Sequence, residues 1–469
     1  MRTNKQKIFY SILFALLTLA WLFSITEIIL IVACHDFCTA GELFAFLIPN
    51  KYEANDITMY ILRFEMPYVV GFTIAYILIA MVLWKILKVF TKRRIIISAS
   101  IVLLVLLPFV IPGQPCCISR EIMAVVYQIL QIKKHHADSN TFEYHACKLD
   151  TISTNEVYVF SVGESMRYKN LSLNGTYSRV TTPSLQNIHE LYLYSNYYAG
   201  ATLTQYALPL LLTGMDKDNY NKHFRRKTLT SAFAEAGFYT ALISNRAQIM
   251  NNGLHDYLAH NFDTIIFVKH DSLIAPIIQE LTAQKRRMFV ITHYLGNHFL
   301  YRNCPDNYRK WLPDYNVTPR QASDSLYINA YDNSILYQDK LLSESIDALS
   351  SSEMVSAWLY VSDHGERIMP QFGVHGHTYH PTKDEYHVPL MVWYSDEYAA
   401  AYPDKVANMK KHKDEPVCAD HVFWSVLDMA GIRIDSTLQQ DGMSIFGDTL
   451  LPHKRTLLLP DGKSVMEFN

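Results

Sequence analysis

The sequence predicts an α/β protein: N-terminal transmembrane helices, then an α/β/α sandwich on a mainly parallel sheet. Three observations predict it. Long apolar runs are confined to the first 111 residues. From Glu156 onward, short β-branched and aromatic runs alternate with longer helical patterns. Residues able to hold a metal follow directly on several of the short runs. The division expected is a transmembrane block over 1–112, a linker with an amphipathic helix over 113–155, and an outside domain over 156–469.

Composition narrows the field. The chain has 469 residues, with 42 Lys+Arg against 44 Asp+Glu and a net charge of −2. That balance argues against a nucleic-acid partner, whose footprint is basic. With 18% charged and 13% aromatic residues the chain is too apolar for disorder. Its mean hydropathy of +0.02 averages a greasy segment with an ordinary polar one.

The greasy segment holds three runs: Ile8 to about Ala33, broken only by Glu27; Met66 to Trp84; and Ile95 to Ile111. Each approaches the roughly 17–25 residues that a helix needs to cross hydrocarbon. None has the polar stripe of a buried soluble helix. Arg2, Lys5 and Lys7 precede the first run, and Lys85, Lys88, Lys92, Arg93 and Arg94 separate the second from the third. Both clusters belong on the cytoplasmic side, so everything after Ile111 lies outside. A rival reading of Ile31-Val32-Ala33-Cys34 as a lipoprotein processing box is disfavoured by the two later runs. Gly41–Pro49 is short enough for an interfacial helix. The seven cysteines all fall outside the span cores, where disulfides are permitted, Cys34–Cys38 being a local candidate. In the linker Ser119 caps a helix with Ile122, Val125, Val126, Ile129 and Ile132 on one side.

In the outside domain, Val157–Val162, Thr240–Ile243, Met288–Thr292, Ala357–Val361 and Val388–Trp393 read as buried strands. Ser325–Leu349 reads as a helix with an apolar stripe. Ligands of such sheets collect beyond the carboxyl ends of the strands. Glu164 follows the first strand, Asn245 the second, His293 and His298 the third, and Asp363 with His364 the fourth. Mixed nitrogen and oxygen donors on one edge suit Zn²⁺. After Thr204 the chain is helix-compatible, with Pro209 tolerable only near the start. Thr204 then sits at a helix N-terminus, where it is either a cap or a group facing an incoming phosphate.

Several segments together resemble the bacterial phosphoethanolamine transferases of the alkaline phosphatase/sulfatase superfamily. They are Val162-Gly163-Glu164-Ser165, Ser172-Leu173-Asn174-Gly175, Thr181-Thr182-Pro183, Thr202-Leu203-Thr204 and Gly296-Asn297-His298. Asn329-Ala330-Tyr331-Asp332-Asn333, Ser362-Asp363-His364-Gly365-Glu366 and His375-Gly376 complete the set, in the family's order over 156–435. The resemblance implies Glu164, Asp363 and His364 as ligands of a principal zinc and Thr204 as the nucleophile completing that shell. It implies His298 and His375 as holders of the transferred phosphate or of a second metal. Asn245, Arg246 and His377 are substrate-binding candidates. Two departures stand out: three apolar runs where family members have about five, and Ala201 where glycine is usual.

The implied reaction moves phosphoethanolamine from phosphatidylethanolamine to a lipid A, core oligosaccharide or related envelope glycan, through a phospho-threonine. One or two Zn²⁺ ions, or Mn²⁺ in their place, serve it. The chain is then a monomer of the bacterial inner membrane, its catalytic domain in the periplasm among membrane lipids. Competing readings are a glycerol phosphotransferase, a sulfatase or phosphatase of the same superfamily, or a membrane-anchored pseudoenzyme that binds without catalysis. The Cys/Ser-x-Pro-x-Arg motif of sulfatases does not occur.

Overall fold

The computed structural model describes residues 18, 21, 66–87, 125, 126, 130, 141–150, 155–215, 217, 220, 225–246, 261–298, 301, 304–314, 324–368 and 380–468. The chain divides into two compact units, Met1–Tyr127 and Gln128–Asn469. In the first, helix α1 (Met66–Leu87) coincides with the second apolar run. Val70, Ile74, Ile77, Leu78 and Met81 on it are exposed. Among residues described with their side chains, no helix is long and apolar enough to cross a membrane. The third run, Gly41–Pro49, Cys34 and Cys38 lie outside the described residues, as does the first run apart from Thr18 and Trp21. So does the linker up to residue 140, apart from Val125, Val126 and Leu130.

The second unit is built on one large sheet. Its strands are β1 (Cys147–Lys148), β2 (Glu156–Gly163), β3 (Leu191–Leu193), β4 (Tyr197–Tyr198), β5 (Tyr239–Ser244), β6 (Thr264–Phe267), β7 (Met288–His293), β8 (Val355–Ser362), β9 (Leu390–Tyr394), β10 (Val417–Cys418), β11 (Ile432–Arg433), β12 (Thr456–Leu458) and β13 (Val465–Glu467). The seven-stranded sheet runs β3-β9-β8-β2-β7-β5-β6; the pairs β1–β11, β4–β10 and β12–β13 stand apart. The block β8-β2-β7-β5-β6 is parallel. β9 is antiparallel to both its neighbours, so the sheet is mixed. The reason is local: Leu390 pairs with Val361, so the chain re-enters the sheet at the edge where β8 left it.

Every residue of β2 and β7 is buried, as a strand covered on both faces requires. The helices are α2 (Thr204–Thr213), α3 (Leu229–Glu235), α4 (Ile274–Thr282), α5 (Asp324–Ser350), α6 (Lys383–Tyr386), α7 (Asp396–Ala401), α8 (Pro403–Lys411) and α9 (Ala419–Met429). On one face Val157, Val159, Val290, Trp358 and Tyr360 pack with Ile274, Ile278 and Leu281 of α4 and with Tyr331, Ile335 and Leu342 of α5. On the other, Tyr158 meets Phe238 and Tyr398, and Phe289 stacks on Phe233 at 3.6 Å. α5 begins and ends within a residue of the expected span.

Pro209 corrects one expectation, for it lies inside α2 rather than near its start. A proline there has no N–H for the carbonyl four residues back, that of Gln205. The Tyr220 hydroxyl donates to this carbonyl at 3.2 Å instead.

Candidate metal centre and nucleophile

Register assembles the site. Gly163 of β2 pairs with Ser362 of β8, and Val162 of β2 with His293 of β7, so the residues after each strand emerge at one level. Glu164 and the pair Asp363-His364 leave this edge side by side, each fully or almost fully buried. One ligand atom from each lies within 4.8 Å of the others. His364 Nε2 is 3.2 Å from Glu164 Oε1 and 3.4 Å from Asp363 Oδ2.

Thr204 completes the group from a distant segment. It is the first residue of α2, after the N-cap Leu203, and so is not itself the cap. Its Oγ1 instead donates to Glu164 Oε2 at 3.1 Å and lies 3.2 Å from His364 Nε2. Of the two readings left open for this threonine, the geometry excludes the cap.

The chain's own cations offset the buried charge of this group. Burial acts to raise Glu164, but the Arg246 guanidinium, with Nη2 3.4 Å away, and His364 outweigh it and hold the carboxyl well below the usual range. Burial and the Glu164 charge push Asp363 up. Burial would lower His364, yet Asp363 and Glu164 push it up. Its Nδ1 faces the Gly365 carbonyl at 2.8 Å. With the Nδ1 proton donated there, Nε2 is the nitrogen that faces the carboxylates and Thr204; it carries a proton while no metal is bound and would give that proton up to ligate one. Asp363 Oδ2 is buried and, apart from the ion-pair contact with His364 Nε2 at 3.4 Å, accepts no hydrogen bond. Two buried carboxylates, one with an oxygen that accepts no hydrogen bond, and an imidazole nitrogen aimed between them fit a divalent ion such as zinc.

The supporting shell fixes these groups. Ser165, at φ 57°, donates its hydroxyl to Glu164 Oε1 at 2.9 Å and its amide to Asp363 Oδ1 at 3.2 Å. The Tyr331 hydroxyl donates to the Ser165 carbonyl at 2.6 Å. Ser362 Oγ accepts from Met166 N at 2.8 Å and donates to the His364 carbonyl at 2.8 Å. Gly296, at φ 52°, lies so close to Glu164 that an added Cβ would fall 3.1 Å from its nitrogen. Asp271, unforeseen, accepts from the amides of Leu295 and Gly296 at 3.0 and 2.9 Å and from Asn245 Nδ2 at 2.8 Å. Asn245 therefore gives its amide to a brace, while Arg246 beside it turns to Glu164. His298 contributes to holding Glu164 charged but is not one of the close trio. His293, fully buried at the end of β7, has no partner on either ring nitrogen; burial and Arg246 push it down to about 3. His387 stacks between Tyr168 and Tyr198, at 4.4 and 4.9 Å. His375 and His377 lie outside the described residues.

The family model for sulfatases matches residues 156–432, well over half of the chain. The chain belongs to the sulfatase family. Among its curated relatives is the Kdo(2)-lipid A phosphoethanolamine 7''-transferase of Escherichia coli, 26% identical over 280 residues, which are 56% of this chain and 49% of that protein. Phosphoethanolamine transferase CptA of Salmonella typhimurium is 27% identical over 299 residues, 59% of this chain and 51% of that one. The sulfatase-family chain thus spans about half the length of the curated relatives it matches. Two solved structures share the fold. The integral membrane lipooligosaccharide phosphoethanolamine transferase A of Neisseria meningitidis superposes with a TM-score of 0.72 at 19% identity, over 91% of this chain and 86% of that one. The C-terminal periplasmic domain of EptC from Escherichia coli, a complex with Zn, gives 0.61 at 22% identity, over 69% and 94%.

Proposed function

We propose that this sulfatase-family chain is a membrane-anchored transferase that moves phosphoethanolamine from phosphatidylethanolamine to a lipid A, core oligosaccharide or related envelope glycan. The observation that carries this is Thr204 Oγ1, seated within 3.2 Å of both Glu164 and His364 at the start of a helix. A threonine hydroxyl is a weak nucleophile, so its placement against three metal-ligating groups has a chemical purpose. The relatives named phosphoethanolamine transferases supply the head group and the acceptor class.

Glu164, Asp363, His364 and Thr204 would hold one Zn²⁺, with His298 and His375 toward the phosphate or a second ion. Bound zinc supplies a lower pKa for the threonine hydroxyl and offsets charge on the phosphoryl oxygens. The chain's own residues do the rest. Thr204 Oγ attacks the phosphorus, the bond to the diacylglycerol oxygen breaks, and the hydroxyl proton leaves with diacylglycerol. The phospho-threonine sits at the N-terminus of α2, where the helix dipole favours its negative charge. Arg246 keeps Glu164 ionised and so able to ligate. An acceptor oxygen then attacks the same phosphorus, and Thr204 leaves with its proton restored. The apolar N-terminal runs hold the domain at the inner membrane beside its lipid donor, on the periplasmic side.

Vesicles with head-group-labelled phosphatidylethanolamine or phosphatidylglycerol test this reading. Label from phosphatidylethanolamine alone should appear on Thr204 as a phosphoethanolamine mass increment and then on lipid A. Thr204→Ala should lose both. Preference for phosphatidylglycerol, or turnover surviving in Thr204→Ala, overturns it.

A further inference from the structure

Away from the Thr204 site, a second set of metal-ligating groups converges at the start of α9. Cys418 ends β10 and is the N-cap of that helix, Asp420 stands in its first turn, and His453 comes from the segment leading into β12. Cys418 Sγ lies 3.4 Å from Asp420 Oδ2, and His453 Nε2 3.2 Å from the same oxygen. One ligand atom from each lies within 4.8 Å of the other two. Cys418 and Asp420 are buried; the His453 side chain is 34% exposed and gives solvent a way in. Cys418, His453 and Lys217 all contact Asp420 Oδ2; the other oxygen, Oδ1, is buried with no hydrogen-bond partner and is the one with capacity left for a ligand. His421 Nδ1, 3.3 Å from Cys418 Sγ, already accepts the Cys418 amide at 3.1 Å and so is not a further ligand.

We propose that Cys418, Asp420 and His453 bind a second, structural zinc ion. Thiolate, carboxylate and imidazole are zinc's ordinary donors, and the sulfur marks this set off from the oxygen-rich site at Thr204. Lys217 is the competitor, because its ammonium already pairs with Asp420. It supplies one positive charge and engages Oδ2, which leaves Oδ1 unsatisfied. On binding, the S–H bond breaks, a Zn–S bond forms and the proton leaves to water past His453. The N-terminus of α9 opposes a nearby cation but favours the thiolate, and the two anionic ligands offset the ion's charge. The ion would fasten the segment before β12 to α9 and to β10, whose Cys418 pairs with Tyr198 upstream of Thr204.

Zinc stoichiometry and zinc X-ray absorption on the full chain in detergent test this. Wild type should bind a zinc with a sulfur neighbour at about 2.3 Å, over and above the ion at Thr204. Glu164→Gln with Asp363→Asn should lose one equivalent and raise the sulfur content of what remains. Cys418→Ser with His453→Ala should lose the sulfur shell and one equivalent, keeping the other. Should that variant fail to fold, cobalt-loaded wild type gives the answer through thiolate-to-metal charge-transfer absorption. A wild type with no sulfur on its zinc or cobalt, or a sulfur signal unchanged in Cys418→Ser, overturns the proposal and leaves Lys217 as the cation of this cluster.

Discussion

Glu164 is buried between two cations of the chain itself, Arg246 and His364, before any metal is bound. Removing one partner of a buried ion pair leaves an uncompensated charge and costs about 3–5 kcal/mol. A divalent ion on the same carboxylate restores the balance. Arg246→Met should therefore lower the unfolding midpoint strongly in EDTA and much less with zinc, so that the gap between the two conditions widens relative to wild type. Equal losses in both would show that Arg246 does not neutralise Glu164. His387 gives a pH prediction. Burial lowers it to about 4, with Lys383 and Arg455 adding to the effect against the pull of the Ser195 carbonyl. An unfolded histidine titrates near 6.5, so between about pH 6.5 and 4 the unfolded chain binds the extra proton. The contribution is whole above pH 6.5 and is lost as pH falls toward 4. His387→Phe keeps the stack on Tyr168 and Tyr198 but has nothing to titrate. Urea midpoints across pH 7.5 to 4.5 should show wild type losing ground to the variant on acidification, by less than the ceiling of about 1.4 kcal/mol per pH unit because the ring is partly exposed. Parallel curves would remove His387 from the acid response.

Among the elements, the β2–β8 pair places the proposed metal ligands, and its tolerance is small. An added Cβ at Gly163 would lie 1.9 Å from the Tyr360 hydroxyl and 2.5 Å from the ring carbon that bears it. Gly163→Ala should cost about 1–3 kcal/mol, as overpacking of a rigid core does, and weaken zinc binding by tilting Glu164. Tyr360→Leu opens the space, so the double variant should be more stable than the sum of the two losses predicts. Strict additivity in urea midpoints would exonerate Tyr360. These same strands were the legible part of the sequence. β2, β5, β7 and β8 are covered on both faces, so their apolar runs are continuous, and Glu164, Asp363 and His364 stand directly after them. β3 is a three-residue edge strand and β6 a half-exposed one, too short or too mixed to show a period. Asp271 works through the amides of Leu295 and Gly296, a role with no spacing signature. Pro209 sits mid-helix because its remedy, the Tyr220 hydroxyl, comes from outside the helix, where no local pattern marks it. The direction of β9 depends on where its connection re-enters the sheet, which no run of residues encodes.

At the scale of the molecule, the two compact units present different surfaces. Gln128–Asn469 has its own mixed sheet with helices on both faces and holds the Thr204 site entire. Met1–Tyr127 carries α1, 22 residues with Val70, Ile74, Ile77, Leu78 and Met81 exposed. Such a surface is costly in water at about 25 cal/mol per Å² and costs nothing in hydrocarbon. If the apolar runs anchor the enzyme, removing them should change where the protein resides without changing what its site is. The fragment 128–469 should stay in the aqueous phase on detergent phase separation, bind zinc as the full chain does, and unfold at the same midpoint. Its turnover of a water-soluble phosphoethanolamine ester should match the full chain's. On phosphatidylethanolamine vesicles it should fall by about 10²-fold, because the tether's effective concentration at the lipid surface is gone. A fragment that follows the detergent, or that works on vesicles as fast as the full chain, would remove the anchor from the mechanism while leaving the Thr204 centre intact.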